Sequence, residues 1–391
     1  MKKLRSLEGK LKGKTVLMRV DFNVVLDDGF QVSEDTRIVE TLPTIRFLLE
    51  NKAKIILISH LGRPKGKVDF HWSVKPIIKR TSEHLKQKIT LIDKFWQKDG
   101  LKQVENLKQG QVAMLENIRF CPGEEQNDVQ FSKHLSLMAD IYINEAFGSS
   151  HRAHASTVGV TNFLPSYPGF LMEKEIKILS EAINNPKRPL VIIIGGAKTP
   201  DKIAVISRLL GVADTILLGG AVANTFFATW GIGTGDSLVD HEMIESARAC
   251  FWKATRATTA LLLPTDVVVV NAKKDAKTKV VNYKRVTKNY AIYDIGPRTQ
   301  RLYAKHIKNA GTIIWNGPMG VYEKKEFTQG TNFLLKEVSD SWAFSILGGG
   351  DTLSSIKEKK LLEGFSYLST GGGAMLEFLE KGTLPALEPL Y

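Results

Sequence analysis

The sequence predicts an α/β protein with two doubly wound, Rossmann-like parallel-sheet domains, joined by a helical hinge and facing a central cleft. Three observations predict it. Short apolar runs end repeatedly in glycine or a polar side chain, amphipathic stretches with apolar spacings of three and four lie between them, and the pattern pauses once, near residues 165–190. Parallel strands covered by helices on both faces read as continuous apolar runs, and strand–helix alternation marks α/β architecture. In such sheets ligands bind outside the carboxyl ends of the strands, so the polar residues that close each run are where a site is expected.

The first run, residues 15–20, opens into Asp21-Phe22-Asn23, and residues 54–59 open into His60-Leu61-Gly62-Arg63, with a helix expected over 38–51 between them. Residues 112–115 give way to Glu116-Asn117, with Arg119 close behind, and residues 141–143 to Asn144-Glu145, with Arg152 beyond. Pro165, Pro168 and Gly169 then open a connector that is helical over 173–183 and closed by Pro186 and Pro189. Domains are therefore expected over 1–170 and 187–383, with a hinge helix over 171–186.

The second half repeats the habit. Residues 191–194 precede Gly195-Gly196, residues 216–218 precede Gly219-Gly220, and residues 313–315 precede Asn316-Gly317-Pro318, with a helix expected over 202–210. Two glycine triplets follow: Gly348-Gly349-Gly350 after residues 344–347, and Gly371-Gly372-Gly373 after residues 365–368. Each opens a segment of helical character, Leu353-Ser354-Ser355-Ile356 and Ala374-Met375-Leu376-Glu377. Strand, glycine turn, helix start is phosphate-binding grammar: glycine lets backbone N–H groups approach an anion, and the helix N-terminus adds unpaired donors. Asp351-Thr352 follows the first triplet. A carboxylate beside a phosphate is repulsive unless a divalent cation bridges them, so this loop points to a Mg-nucleotide.

The two halves thus carry different chemistry. Arg37, His60, Arg63, Arg119 and Arg152, with Asp21 and Asn23, suit a small anion bearing a hydroxyl, because arginine forks match phosphate or carboxylate oxygens bidentately. Glycine pairs and triplets with Lys198, Lys202, Asp351 and Glu323 suit a nucleotide. An acceptor half and a donor half imply phosphoryl transfer across a cleft, with hinge closure expelling water.

Composition narrows the class. With 391 residues, two domains are expected; with 43% hydrophobic residues and no run approaching ~18 apolar residues, the chain is expected to be soluble, with no membrane partner. Charged residues 10–14 occupy the place of a signal peptide's apolar segment, and Cys121 and Cys250 are the only cysteines, which fits a reducing cytoplasm. The net charge of +13 is scattered along the chain and accompanies no nucleic-acid-binding motif, so no specific nucleic acid is expected; a polyanion-binding role would rest on charge alone. Gly13-Lys14-Thr15 resembles the end of a P-loop, but Glu8 stands at the first glycine position and a strand follows. The triplets do not form the dinucleotide fingerprint, His151-Arg152-Ala153 is not a protein-kinase catalytic loop, and no third ligand accompanies His151 and His154 for zinc.

Taken in order, the motifs resemble those of the phosphoglycerate kinase family over essentially the whole chain. Arg19-Val20-Asp21-Phe22-Asn23, Ser59-His60-Leu61-Gly62-Arg63-Pro64, Leu115-Glu116-Asn117-Ile118-Arg119-Phe120 and His151-Arg152-Ala153-His154 carry the first half. Gly195-Gly196-Ala197-Lys198, Asp294-Ile295-Gly296-Pro297, Trp315-Asn316-Gly317-Pro318 and both triplets carry the second. The resemblance implies a monomeric, cytoplasmic glycolytic kinase that moves a phosphoryl group between 1,3-bisphosphoglycerate and MgADP, giving 3-phosphoglycerate and MgATP. It implies that Asp21, Phe22, Asn23, Arg37, His60, Leu61, Gly62, Arg63, Arg119 and Arg152 bind the phosphoglycerate. Lys202, Gly219, Asn316, Glu323, Gly349, Gly350, Asp351 and Thr352 would bind nucleotide, Asp351 holding Mg2+. Arg37, Lys198 and Lys202, with the amides of Gly350 and Gly372, would stabilise the transferring group, and residues 384–391 would fold back onto the first domain. Departures from the family pattern are Val25 for proline, Glu145 for aspartate, Thr199-Pro200 between the two lysines, and Arg298 for lysine. Threonine at an N-cap with proline at the first helical position would account for Thr199-Pro200 as an ordinary helix start.

Overall fold

A computed structural model of the chain describes residues 1–271, 278–349, 352–353, 356 and 359–391. Gly350, Asp351, Ser354 and Ser355 lie outside these residues. The chain divides into two compact units, Met1–Lys177 with Thr383–Tyr391, and Ile178–Gly382.

The first unit is built on six parallel strands: β1 (Thr15–Arg19), β2 (Lys54–Ile58), β3 (Ile89–Ile92), β4 (Val112–Leu115), β5 (Ile141–Asn144) and β6 (Ser166–Pro168), in the order β3-β4-β2-β1-β5-β6. Helices α1 (Thr36–Glu50), α2 (Lys75–Leu85), α3 (Lys98–Glu105) and α4 (Val129–Ser136) connect them, and α5 (Phe170–Asn184) holds the division between the units. β4 and β5 are buried at every residue, as parallel strands covered on both faces must be. α1 buries Ile38, Leu42, Ile45 and Leu48, a single stripe at spacings of four and three.

The second unit opens with β7 (Leu190–Ile194), β8 (Thr215–Leu218) and β9 (Ala260–Leu262). An antiparallel sheet of β10 (Asp266–Val270), β11 (Lys279–Asn282) and β12 (Ala291–Ile295) follows, which the pattern of runs ending in glycine does not reveal. β13 (Thr312–Asn316), β14 (Phe344–Gly348) and β15 (Tyr367–Ser369) complete a second six-stranded parallel sheet in the order β15-β14-β13-β7-β8-β9. Among the described residues its helices are α6 (Thr199–Leu209), α7 (Gly220–Thr229), α8 (Ile244–Ala254), α9 (Pro297–Lys308), α10 (Gln329–Ser339) and α11 (Gly372–Lys381). Lys198, not Thr199, caps α6; Thr199 is its first helical residue, and its hydroxyl donates to the Ala197 carbonyl at 3.3 Å. Among the described residues no helix is long and apolar enough to cross a membrane.

The last residues belong to the first unit. The Ala386 amide donates to the Ser150 carbonyl at 3.1 Å, the Lys2 amide donates to the Leu390 carbonyl at 3.0 Å, and Leu384, Ala386, Leu387 and Leu390 are fully buried.

Immediately after β5, Glu145 joins α1 to the first turn of α5. Its carboxylate accepts from the Thr44 hydroxyl and from the amides of Leu171 and Met172, both at 3.1 Å, while the Phe170 amide donates to Thr44 Oγ1 at 2.9 Å. A Cβ on Gly169 would collide with this carboxylate, so glycine is required there. Burial pushes the Glu145 carboxyl up to about 7, against the hydrogen bonds that favour its ionised form. An acid whose pKa is raised on folding contributes stability fully below its ordinary value of 4.5 and loses it as pH rises through about 7. Between about pH 5 and about pH 8, the stability of wild type relative to Glu145→Gln should therefore fall by about 2 to 3 kcal/mol in urea unfolding. A pH-independent difference would show that the group is already ionised in the folded protein at the lower pH.

Candidate active site

In the first unit, four contiguous strands, β4, β2, β1 and β5, deliver polar side chains at their carboxyl ends. β1 leads to Asp21 and Asn23, β2 to His60 and Arg63, β4 to Arg119, and β5 to Arg152, while Arg37 lies in the first turn of α1. Arg37 Nη1 lies 2.8 Å from Asp21 Oδ2, and His60 Nδ1 lies 3.9 Å from Asp21 Oδ1. Burial alone would raise the Asp21 pKa, but the guanidiniums of Arg37 and Arg19 help to bring it down to about 2, so this carboxylate stays charged. His60 is pushed the other way. Burial, then Arg19, Arg119 and Arg152, hold its imidazole well below the usual histidine range, against the pull of Asp21.

The backbone around these groups is pinned by buried amide and carboxylate side chains. Asn117 accepts from the Leu61 and Arg119 amides and donates to the Leu61 and Trp72 carbonyls. Glu116 accepts from Ser73 Oγ and the amides of Val74 and Asn117. Asn23 Oδ1 accepts from the Gly62 amide at 2.9 Å, and Arg119 Nη1 donates to the Gly62 carbonyl at 2.8 Å. Phe22 and Leu61 pack into the hydrophobic core, so their side chains fix the loops, whereas Arg63 remains exposed. Asn117, Glu116 and the buried Arg19 stand within the sequence motifs but were given no role there. The signal for Arg19 was an arginine inside an otherwise apolar run.

The second unit builds its site from backbone. The loops after β7, β8 and β13 interlock so closely that a Cβ on Gly195 would meet the Pro318 carbonyl, one on Gly220 the Gly196 backbone, and one on Gly317 the Gly195 carbonyl. Gly196, Gly220 and Gly317 also have φ of +84°, +59° and +88°. Buried Lys202, in the first turns of α6, donates from Nζ to the Gly195 carbonyl, while Lys198 at its N-cap is exposed. Gly219 caps α7, and Gly372 opens α11. Asn316 Nδ2 donates to the carbonyls of Gly348 at 3.1 Å and Gly372 at 3.4 Å, tying the two triplets together. Thr352 Oγ1 accepts from the Gly317 amide at 2.8 Å, and Gly349 has φ of +116°. Glu323 is exposed on the turn after β13.

Helix N-termini and glycine loops over one parallel sheet, with arginines at the strand ends of another, are the groups that phosphate-bearing ligands need, and that pairing fits the kinase class of enzyme. The family model "Phosphoglycerate kinase" matches residues 5–382. The phosphoglycerate kinase of Fervidobacterium nodosum is 44% identical over 392 residues, covering 99% of this chain and 98% of its own length. That of Chloroflexus aggregans is 46% identical over 384 residues, covering 97% and 96%. The solved phosphoglycerate kinase structure from Coxiella burnetii superposes with a TM-score of 0.85 at 40% identity, over 100% of this chain and 98% of that one. The chain belongs to the phosphoglycerate kinase family.

The backbone packing around Gly317 sets a stability test. Alanine there would occupy a left-handed conformation and drive its methyl into the Gly195 carbonyl, so Gly317→Ala should cost at least ~2 kcal/mol in urea unfolding. A loss below ~0.5 kcal/mol would mean that the two loops can separate without penalty.

Proposed function

We propose that the chain catalyses reversible phosphoryl transfer between 1,3-bisphosphoglycerate and MgADP, with the phosphoglycerate held by the first unit and the nucleotide by the second. The observation that carries this is the convergence of Asp21, Arg37, His60, Arg119 and Arg152 around the carboxyl ends of four adjacent strands. Asp21 and Arg37 are in ionic contact at 2.8 Å, and Arg119 and Arg152 both act on His60. Arginine forks would take the phosphate and carboxylate oxygens, and Asp21 and Asn23 the hydroxyl. Phe22, Leu61 and Gly62 shape the loops that present these groups.

On the nucleotide side, Gly219, Asn316, Gly349, Gly350 and Thr352 would cradle phosphates, Glu323 would accept from ribose hydroxyls, and Lys198 and Lys202 would supply charge. Asp351 is the carboxylate of the Gly349–Thr352 loop and would hold Mg2+. One carboxylate beside nucleotide phosphates is the donor set this ion takes. Bound there, Mg2+ would neutralise part of the phosphate charge.

A carboxylate acceptor needs no general base, so the work left to the protein is alignment and charge compensation. Arg37, Lys198 and Lys202, with the amides of Gly350 and Gly372, provide the compensation. Hinge bending between the units brings donor to acceptor and expels water. The family resemblance supports a cytoplasmic monomer. Both cysteines are buried, and burial pushes Cys121 up to about 12 and Cys250 up to about 11, so both thiols stay protonated and unreactive.

The test is turnover with MgATP and 3-phosphoglycerate, trapping the acyl phosphate with hydroxylamine. Arg37→Ala and Lys202→Ala should each lower kcat at least ~100-fold with the fold retained, and Asp351→Ala should raise the Mg2+ requirement. Turnover unchanged in both cation variants would defeat the site assignment.

A further inference from the structure

Arg19 is the last residue of β1, only 1% exposed, and its guanidinium meets the imidazole that the acceptor site presents. Nη2 lies 3.1 Å from His60 Nδ1. A guanidinium carries N–H donors and no acceptor, so Nδ1 has to receive that hydrogen bond through its lone pair. A neutral imidazole has one donor and one acceptor nitrogen, which leaves the proton on Nε2.

We infer that Arg19 is a positioning residue that locks His60 as the neutral Nε2–H tautomer, so that the imidazole offers a donor to the ligand while Asp21 Oδ1 stays open as an acceptor. Three further observations support the lock. Arg19 is itself held: Nε donates to Ser156 Oγ at 2.8 Å and Nη1 to the Val20 carbonyl, while the hydroxyl and amide of Ser156 donate to the fully buried Glu124 at 2.6 and 2.9 Å. The competing tautomer would point its proton at Asp21 Oδ1, which at 3.9 Å is beyond hydrogen-bond range and has no hydrogen-bond partner among the described residues. The charged groups acting on His60 are Arg19 and Asp21 from β1 and its end, Arg119 from the turn after β4, and Arg152 from the segment after β5. Three cations against one anion, in a buried site, disfavour the imidazolium.

The result is a donor at Nε2 beside an acceptor at Asp21 Oδ1. That pair matches a ligand carrying an anionic oxygen next to a hydroxyl, and in this respect the inference rests on the phosphoglycerate reading of the site. The lock itself does not. Without Arg19, the imidazole is free to place its proton on Nδ1 and close on Asp21, which would consume the ligand's donor and acceptor together.

Long-range proton–nitrogen correlation spectra of the full-length protein, with His60 assigned by its loss in His60→Gln, report the tautomer directly. Wild type should show a protonated Nε2 and an unprotonated Nδ1 throughout about pH 6 to 8. In Arg19→Met the pattern should shift toward Nδ1–H, and KM for 3-phosphoglycerate should rise ~10-fold with kcat changed less than about twofold, the loss of one charged-group hydrogen bond. Should Glu124, left without its compensating cation, prevent folding, the Arg19→Met/Glu124→Gln pair takes its place. An Nδ1–H or doubly protonated ring in wild type overturns the inference, as does an Nε2–H pattern that survives loss of Arg19. A tautomer shift with unchanged KM would uphold the lock and defeat the assignment of His60 to the ligand.

Discussion

A guanidinium buried at the end of an apolar strand has to be met by acceptors, and the first unit is arranged around meeting that demand for Arg19. Isolated in a low-dielectric interior the charge would cost several kcal/mol. Ser156 lies 137 residues away in sequence, yet its hydroxyl meets Arg19 Nε, and Glu124 beneath it supplies the negative charge. Burial works to raise the Glu124 pKa, but His154, Arg19 and Ser156 outweigh it and keep the carboxylate ionised. The segment after β4 and the segment after β5 are thereby drawn over the carboxyl end of β1. Those segments carry Arg119 and Arg152, so the charge that must be satisfied also gathers the cations around His60.

The second unit meets a comparable need by different means. Its glycine loops take their shape from main chain lying against main chain at Gly195, Gly220 and Gly317. Side-chain recognition tolerates adjustment by rotamer; backbone packing does not. Thr352 and Asn316 act as rivets, bonding to the Gly317 amide and to the Gly348 and Gly372 carbonyls.

The central strands of both sheets were legible because burial on both faces leaves only apolar residues: β2 is Lys-Ile-Ile-Leu-Ile, and β7 is Leu-Val-Ile-Ile-Ile. The edge strands β3 and β6 of the first sheet were not. β3 has two of its four residues buried, and β6 is three residues long and ends in proline, so neither carries a continuous apolar signature. The antiparallel sheet of β10, β11 and β12 escaped for a related reason, since β11 has no buried residue. In the site, arginines that terminate apolar runs announced themselves. Arg19, Glu124 and Ser156 did not, because their meaning lies in contacts across more than thirty positions of chain, whereas Asp21 and His60 stood out by following apolar runs directly.

Both ends of the polypeptide belong to the first unit, with some two hundred residues of the other unit between them. During synthesis, the carbonyl of Ser150 and the amide of Lys2 wait for Ala386 and Leu390, which are made only after the second unit. The apolar surface that Leu384, Leu387 and Leu390 cover is therefore open to solvent or to a chaperone throughout translation of the second unit. The unit begun first is thus closed only after the second has been made, and a chain cut short before Thr383 carries a whole second unit and an unfinished first.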